Sequence, residues 1–354
     1  MNVALVGHPL SGKTTLFSAL TGIASTAEFG KTARIGTVKV PDARVEWLAE
    51  IYKPKKITHA GLDFTDLSGL SFASAAEQAQ SVKLIAGIRQ ADMIVLVLRA
   101  FDNPAVSAYR DRVNAAADFN ELRSEFILCD LEQISNRIEK LKVQISKPTP
   151  DRDRYKKELE LMEKGLQTLE AEQPLSQIIN TPDDAKMVSS FGFLTEKPLA
   201  VDVNVSEKQR QNPPIIETPA DITQLAICAS LEQELSQLSE QERGEFMSEM
   251  GIETQAAGRL VSCCYKTLGL VSFLTYGPDE CRAWSIPANN PAVEAAAEIH
   301  SDIARGFIRA EVVAFEDLKA AGDFKQAKAA NKVRLEPKQY PVQDGDVITF
   351  RFNV

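Results

Sequence analysis

The chain has 354 residues, 44% of them hydrophobic, and a formal net charge of -9 at pH 7. That length exceeds one ordinary core and predicts two or three domains. The acidic balance argues against a protein that coats nucleic acid by bulk charge, and leaves room for a local basic patch. No apolar run approaches the ~20 residues of a membrane-spanning helix, and the N-terminus starts directly with a core strand, so a soluble, cytoplasmic protein with no membrane partner is expected. Five cysteines, at positions 129, 228, 263, 264 and 281, form no CxxC pair and read as reduced, mostly buried thiols.

Asn2 to Val6 is an apolar run suited to a buried parallel strand. Gly7 to Thr15 then reads GHPLSGKTT, and Leu16 to Leu20 has helical apolar spacing. Gly7 and Gly12 stand in the pattern GxxxxGK[ST], whose backbone N–H groups cradle phosphate oxygens because glycine tolerates the dihedrals and the close approach. The candidate phosphate-binding residues are Gly7, His8, Pro9, Leu10, Ser11, Gly12, Lys13, Thr14 and Thr15. Lys13, the candidate catalytic residue, can reach the outer phosphates, and the Thr14 hydroxyl can ligate Mg²⁺.

Thr26 to Ile35 is a polar segment expected to lie over the phosphates, followed by the short alternating run Thr37 to Val40. Pro41-Asp42 offers a helix start, with Val45, Leu48 and Ile51 as the apolar stripe. Leu62 to Leu67 alternates like a strand and leads into the motif DxxG, Asp66 to Gly69. An acid at such a strand end holds the magnesium shell, and the glycine lets its N–H face the γ-phosphate, which makes Asp66 a second metal candidate and Gly69 a further phosphate contact. Ser74 to Gln90 reads as a helix, and Met93 to Leu98 as a parallel strand buried on both faces. The pattern is α/β with a mostly parallel sheet.

At Glu121 the character changes. Ile127, Leu131, Ile134, Ile138, Leu141 and Ile145 make a coiled-coil seam, Lys147-Pro148-Thr149-Pro150 stops the helix, and Tyr155, Leu159, Met162, Leu166 and Leu169 repeat the spacing. An antiparallel helical hairpin over residues 121–179 is expected, serving either as a solvated arm or as a protruding contact surface. Pro182-Asp183-Asp184 opens a helix and Lys197 to Asn204 leads into a strand ending in NVSE. Ile222 to Ala229 is a further strand ending in Cys228-Ala229-Ser230. The hairpin is therefore an insertion in a nucleotide-binding domain of residues 1–120 and 180–269. Residues 270–354 read as a small α+β domain: strands at Leu270 to Tyr276, Cys281 to Ile286 and Val347 to Phe352, and a helix from Pro291 to Ile303.

The phosphate loop with DxxG, the NxxE in place of NKxD, and a C-terminus containing RGFIRAEVVAFEDL and ending QDGDVITFRFNV together resemble the YchF, or Obg-like ATPase, family. The resemblance implies a G-domain-like P-loop NTPase with a C-terminal TGS-like β-grasp domain. It also implies ATP preference, slow hydrolysis, Mg²⁺ as cofactor, and association with the ribosome or RNA-associated proteins, with no DNA expected. Base contacts then fall on Asn204, Val205, Glu207, Cys228, Ala229, Ser230 and Leu231. Glu207 stands where GTPases carry the aspartate that accepts two hydrogen bonds from guanine. Its extra methylene displaces the carboxylate from that register, at no cost to adenine.

Several positions depart from the family. SFASAAEQAQSVKL replaces a glycine-rich switch and favours a stiff or helical segment. GKTAR replaces the TIEPN segment, leaving Thr32 as the nearest candidate to close the magnesium shell. Leu10 stands where potassium-activated relatives carry an asparagine whose oxygen binds K⁺. Leu70 cannot orient a water, so turnover falls to another group, with His8 and Arg34 as candidates. The alternative expectation is a degenerate nucleotide-binding interaction protein with little turnover, or a GTP-binding protein.

Overall fold

A computed structural model describes residues 1–24, 33–148 and 150–353; the candidate Thr32 lies outside the described residues. Two compact units make up the chain, Met1–Gly36 with Phe64–Ile252, and Thr37–Asp63 with Glu253–Val354.

The chain opens with β1 (Asn2–Val6), α1 (Lys13–Thr21) and β2 (Arg34–Lys39). Helix α2 (Ala43–Tyr52) is capped by Asp42, which accepts from the Arg44 amide, and buries Val45 and Leu48. Strands β3 (Lys56–Thr58) and β4 (Gly61–Asp66) precede α3 (Ala75–Ile88) and β5 (Met93–Arg99). Helix α3 occupies the glycine-free stretch as its alanines favour, capped by Ser74. Next come α4 (Ala115–Ile145), α5 (Arg152–Glu170), α6 (Pro182–Val188), β6 (Leu199–Asn204), β7 (Thr223–Ile227), α7 (Ala229–Gln237) and α8 (Glu240–Glu249). The second unit continues with α9 (Ala256–Thr267), β8 (Leu270–Thr275), β9 (Glu280–Pro287), α10 (Ala292–Ile299) and α11 (Ser301–Arg305). It closes with β10 (Phe307–Ala314), α12 (Phe315–Ala321), α13 (Phe324–Ala329), β11 (Arg334–Glu336) and β12 (Asp346–Phe352). The expected helix from Pro291 to Ile303 is thus two helices. His300, in extended conformation, separates them, and its ring nitrogen accepts from the Asp302 amide.

The first sheet has the order β2-β4-β1-β5-β6-β7. Strands β1, β5, β6 and β7 run parallel, and β5 is buried along its whole length, as its unbroken apolar run requires. This arrangement sends the loops after β1 and β6 to the same end of the sheet, where open α/β sheets bind ligands.

The hairpin matches its seam: Ile127, Ile134, Ile138, Leu141, Met162 and Leu169 share one core. It starts earlier than Glu121, because Asn114 caps the first turn of α4 by accepting from the Ala117 amide. Gly165 lets α5 approach closely, since a Cβ there would lie 3.1 Å from Ile134 Cδ1. Arg137 grips the buried Glu158 with two hydrogen bonds of 2.7 and 2.9 Å.

The second sheet has the order β11-β10-β12-β8-β9-β3. Its membership differs from the expected domain boundaries. Residues 37–63 group with the C-terminal part because β3 pairs with β9 in parallel and α2 packs against β9. Residues 253–269 join them because α9 packs on β8. Phe273, Ile286, Ala295, Ala296, Val312 and Ile348 form the core under α10 and α11.

One buried group in the first unit sets a pH dependence. Asp202, on β6, is fully buried, and desolvation pushes its carboxyl well above the ordinary carboxylate range, with Glu232 adding repulsion. A carboxyl whose folded pKa is raised costs stability as pH rises above its unfolded value of about 3.9. Asp202→Asn is therefore expected to melt at a higher temperature than the parent at pH 7, with the difference shrinking toward about pH 4. Thermal unfolding at both pH values checks this, and an equal or lower melting temperature at pH 7 would show that the fold stabilises the ionised form.

Candidate nucleotide-binding site

The phosphate loop lies between β1 and α1 and is built on close approaches. A Cβ at Gly7 would stand 2.3 Å from Val97 O, and one at Gly12, where φ is 96°, would stand 2.0 Å from Asn204 Nδ2. Glycine is required at both positions. Leu10 holds a left-handed φ of 61° and is 56% exposed at the loop's crest. Lys13 is buried. Its ammonium curls back to donate to His8 O at 2.7 Å, and burial brings its pKa down to about 8 against the pull of Asp66. Lys13 thus stands inside the loop with its ammonium held by the loop's own backbone.

Asp66, at the end of β4, is hydrogen-bonded by Thr14, yet its Oδ1 is buried without a hydrogen-bond partner. Burial raises its pKa, while Thr14, Lys13 and Arg34 oppose the rise. An unsatisfied carboxylate oxygen beside a hydroxyl is the donor set Mg²⁺ takes when phosphates supply the rest of its shell. The residues fit the ion: Thr14 and Asp66 would hold it, and it would supply positive charge against the phosphate oxygens.

A cleft of about 1020 Å³ extends from Leu10, Lys13 and Thr15 to Asn204, Glu207 and Ser230. Asn204 closes it from beneath. Its amide donates to Ser11 O at 2.9 Å, and its carbonyl oxygen accepts from Ala229 N at 3.1 Å. Glu207 is exposed at the rim, in a short turn that Ser206 and Gln209 cap reciprocally. Cys228 and Leu231 are buried behind this end of the cleft, whereas Val205, Ala229 and Ser230 line it.

Phe101, Asp102, Asn103 and Val106 form one wall of the cleft, a wall the sequence reading missed. Arg99 shapes it. This buried guanidinium at the end of β5 donates to Phe101 O, Val106 O and Ser107 O at 3.2, 3.0 and 2.8 Å. An arginine closing an otherwise apolar strand was the available signal.

His8 and Gly69 are placed differently from a simple phosphate cradle. A Cβ on Gly69 would lie 2.5 Å from Pro9 N, and Leu70 N donates to Gly7 O at 3.0 Å, so the DxxG segment lies flat on the loop. The His8 ring turns into the protein. Its Nδ1 bonds Leu70 O at 2.8 Å, it stacks on Tyr109 with centroids 4.0 Å apart, and its Nε2 faces Glu121 at 4.0 Å. Tyr109 donates in turn to Glu121, in the second turn of α4, at 3.0 Å. Burial lowers the His8 pKa, and the ring is committed to this contact rather than to water in the cleft. Arg34 stays within electrostatic reach of Asp66.

A strand, phosphate loop and helix, an acid and glycine at the end of a neighbouring strand, and a base-end loop after β6 define a P-loop NTPase of the G-domain type. The pattern of a family described as a 50S ribosome-binding GTPase matches residues 2–131. That of the C-terminal part of YchF GTPases, described as a protein of unknown function, matches residues 270–353. The ribosome-binding ATPase YchF of Bacillus subtilis is 37% identical over 368 residues, covering 100% of both chains. Its namesake in Pasteurella multocida is 36% identical, covering 99% of this chain and 98% of that one. Obg-like ATPase 1 of Oryza sativa is 33% identical, covering 100% and 92%. The solved structure of the Schizosaccharomyces pombe YchF GTPase superposes with a TM-score of 0.84 at 26% identity, covering 99% of this chain and 97% of that one. The chain belongs to the YchF family of nucleotide-binding P-loop NTPases.

Replacing Lys13 removes a charge-assisted contact worth ~1.5–3 kcal/mol. Lys13→Ala is therefore expected to weaken ATP binding at least about tenfold by calorimetry, with an unchanged circular dichroism spectrum. Parent-like ATP affinity would sink the phosphate role.

Proposed function

We propose that the chain is an ATP-binding, slowly hydrolysing regulatory NTPase of the cytoplasm, whose nucleotide state sets its affinity for the ribosome or ribosome-associated proteins. The observation that carries this reading is one cleft lined by Lys13 and Thr14 at one end and by Asn204 and Glu207 at the other, with the unsatisfied Asp66 oxygen held next to Thr14. The backbone of the Gly7 to Thr15 loop and the Lys13 ammonium would contact phosphates, Thr14 and Asp66 the magnesium ion, and Asn204, Glu207, Ala229 and Ser230 the base, while Gly69 is packed against Pro9 and the His8 ring is turned away. Asn204 retains a second amide hydrogen for adenine N7. The partner class rests on the relatives, which are ribosome-binding ATPases.

Slow turnover follows from what faces the cleft. Leu70 is 1% exposed and has no group to orient a water, and His8 points away. Besides Lys13, Arg34, within electrostatic reach of Asp66, is the candidate cation to stabilise charge as the bond breaks. The same two observations favour a second reading, a nucleotide-binding interaction protein with no turnover.

Titration with ATP and GTP analogues, with phosphate release followed on the same sample, tests both readings. ATP is expected to bind at least as tightly as GTP. Glu207→Asp is expected to move preference toward GTP by about five- to a hundredfold, the worth of a bidentate base contact. Strong GTP selectivity in the parent would refute the assignment, and the absence of phosphate release would select the second reading. Leu10 offers no side-chain oxygen, so phosphate release is expected to be the same in KCl and NaCl at fixed Mg²⁺. A several-fold acceleration by K⁺ would point to backbone ligands instead.

A further inference from the structure

Leu70, Ser71 and Phe72, which follow DxxG, belong to no helix or strand, yet every backbone N–H and C=O of the three is bonded. Leu70 N donates to Gly7 O at 3.0 Å, and Leu70 O meets His8 Nδ1 at 2.8 Å. Ser71 is held by one hydroxyl: Ser81 Oγ, on α3, accepts from its amide at 2.9 Å and donates to its carbonyl at 2.8 Å. Phe72 N donates to Tyr109 Oη at 3.1 Å, and Phe72 O accepts from Arg110 at 3.2 Å. Irregular backbone commonly leaves such groups to water. Here the phosphate loop, α3 and the turn before α4 supply the partners instead.

The holding groups are themselves fixed. Ser81 and Leu70 are each 1% exposed, and Ser71 Oγ donates to Glu77 in the first turn of α3 at 2.8 Å. Tyr109 lies flat on the His8 ring and donates onward to Glu121. Arg110 and Asp111 hold left-handed φ values of 50° and 55°, a conformation that non-glycine residues keep only where the surroundings enforce it. The turn that grips Phe72 is a strained one.

Among the described residues, none of 66–72 lines the cleft. Gly69 lies so close to the back of the loop that a Cβ there would stand 2.5 Å from Pro9 N. In phosphate-loop hydrolases a glycine N–H at this place meets the γ-phosphate, so here it reaches one only when the segment lifts off the loop. We propose that residues 70–72 form an autoinhibitory latch that opposes the γ-phosphate. A nucleoside triphosphate gains the Gly69 contact by breaking the bonds to Ser81, Tyr109 and Arg110, whereas a diphosphate binds with the latch closed. The latch rests on the reading of the cleft as an ATP site. A ligand that needs a minor conformation binds more weakly in proportion to the population of that conformation. The latch therefore lowers affinity for ATP and leaves that for ADP alone. Removing the hydroxyl of Tyr109 or Ser81 strands a backbone amide only in the latched state, because water satisfies that amide once the segment lifts. Loosening the latch thus favours the triphosphate.

Calorimetric titration of the full chain, in Mg²⁺, with ADP and with the non-hydrolysed ATP analogue AMP-PNP tests this. Tyr109→Phe, which keeps the ring on His8, and Ser81→Ala are each expected to bind AMP-PNP about three- to tenfold more tightly than the parent, with ADP affinity unchanged within about twofold. A purely structural role for these hydroxyls would weaken both nucleotides or neither. A parent-like ratio of the two affinities in both variants, or a loss confined to AMP-PNP, overturns the latch. Hydrogen exchange over residues 69–72 supplies a second readout: these amides are expected to be protected in the ADP complex and to exchange faster with AMP-PNP bound. Equal protection in the two complexes also overturns it. A parent that binds neither nucleotide removes the ATP reading and the latch together, whereas one that binds both while the variants keep its ratio removes the latch alone.

Discussion

The amide of Asn204 is the contact on which the site is assembled. It joins the phosphate loop, through Ser11 O, to the first turn of α7, through Ala229 N. It also presses so close to Gly12 that no side chain fits there. Because Asn204 ends a buried strand paired with β5 and β7, the sheet fixes where that amide stands. The two ends of the cleft are thus placed by one side chain. Residue 204 bears on loop geometry before any base arrives, and the glycine at position 12 follows from the asparagine as much as from the phosphate it would face.

A second connection leaves the loop on its far side. The path from Leu70 through His8 and Tyr109 to Glu121 uses a carbonyl, two stacked rings and a carboxylate. Arg110 and Arg112 hold the same carboxylate at 2.9 and 3.6 Å. Helix α4 spans 31 residues, about 45 Å at the α-helical rise. The DxxG segment is thus tied, through His8, to the N-terminal end of a helix of that length.

What the sequence made legible followed from local spacing. The phosphate loop, DxxG, the apolar run of β5, the two hairpin seams and the Asn204 turn each declare themselves within about twenty residues at most, because loop geometry and helical or strand periods are local rules. What it hid was contact at long separation. Nothing near His8 indicates Tyr109 and Glu121. Arg99 resembles an ordinary strand terminator until its three carbonyl partners are seen. The early helix α2 has the spacing of any crossover helix, and only its packing on β9 reveals which core it serves.

That last feature bears on how the chain is made. Residues 37–63 leave the ribosome early, yet the strands and helices they join are encoded after residue 253. At roughly 5–20 residues per second, some 10–40 s of elongation separate the two. Throughout that interval Val45 and Leu48, fully buried in the finished protein, have no permanent cover, and β3 has no partner strand. The chain crosses between units inside β2 and again inside β4. Neither unit is therefore a contiguous stretch of the message, and a transcript cut short before residue 253 yields a product with an orphaned segment in its middle rather than a clean N-terminal domain.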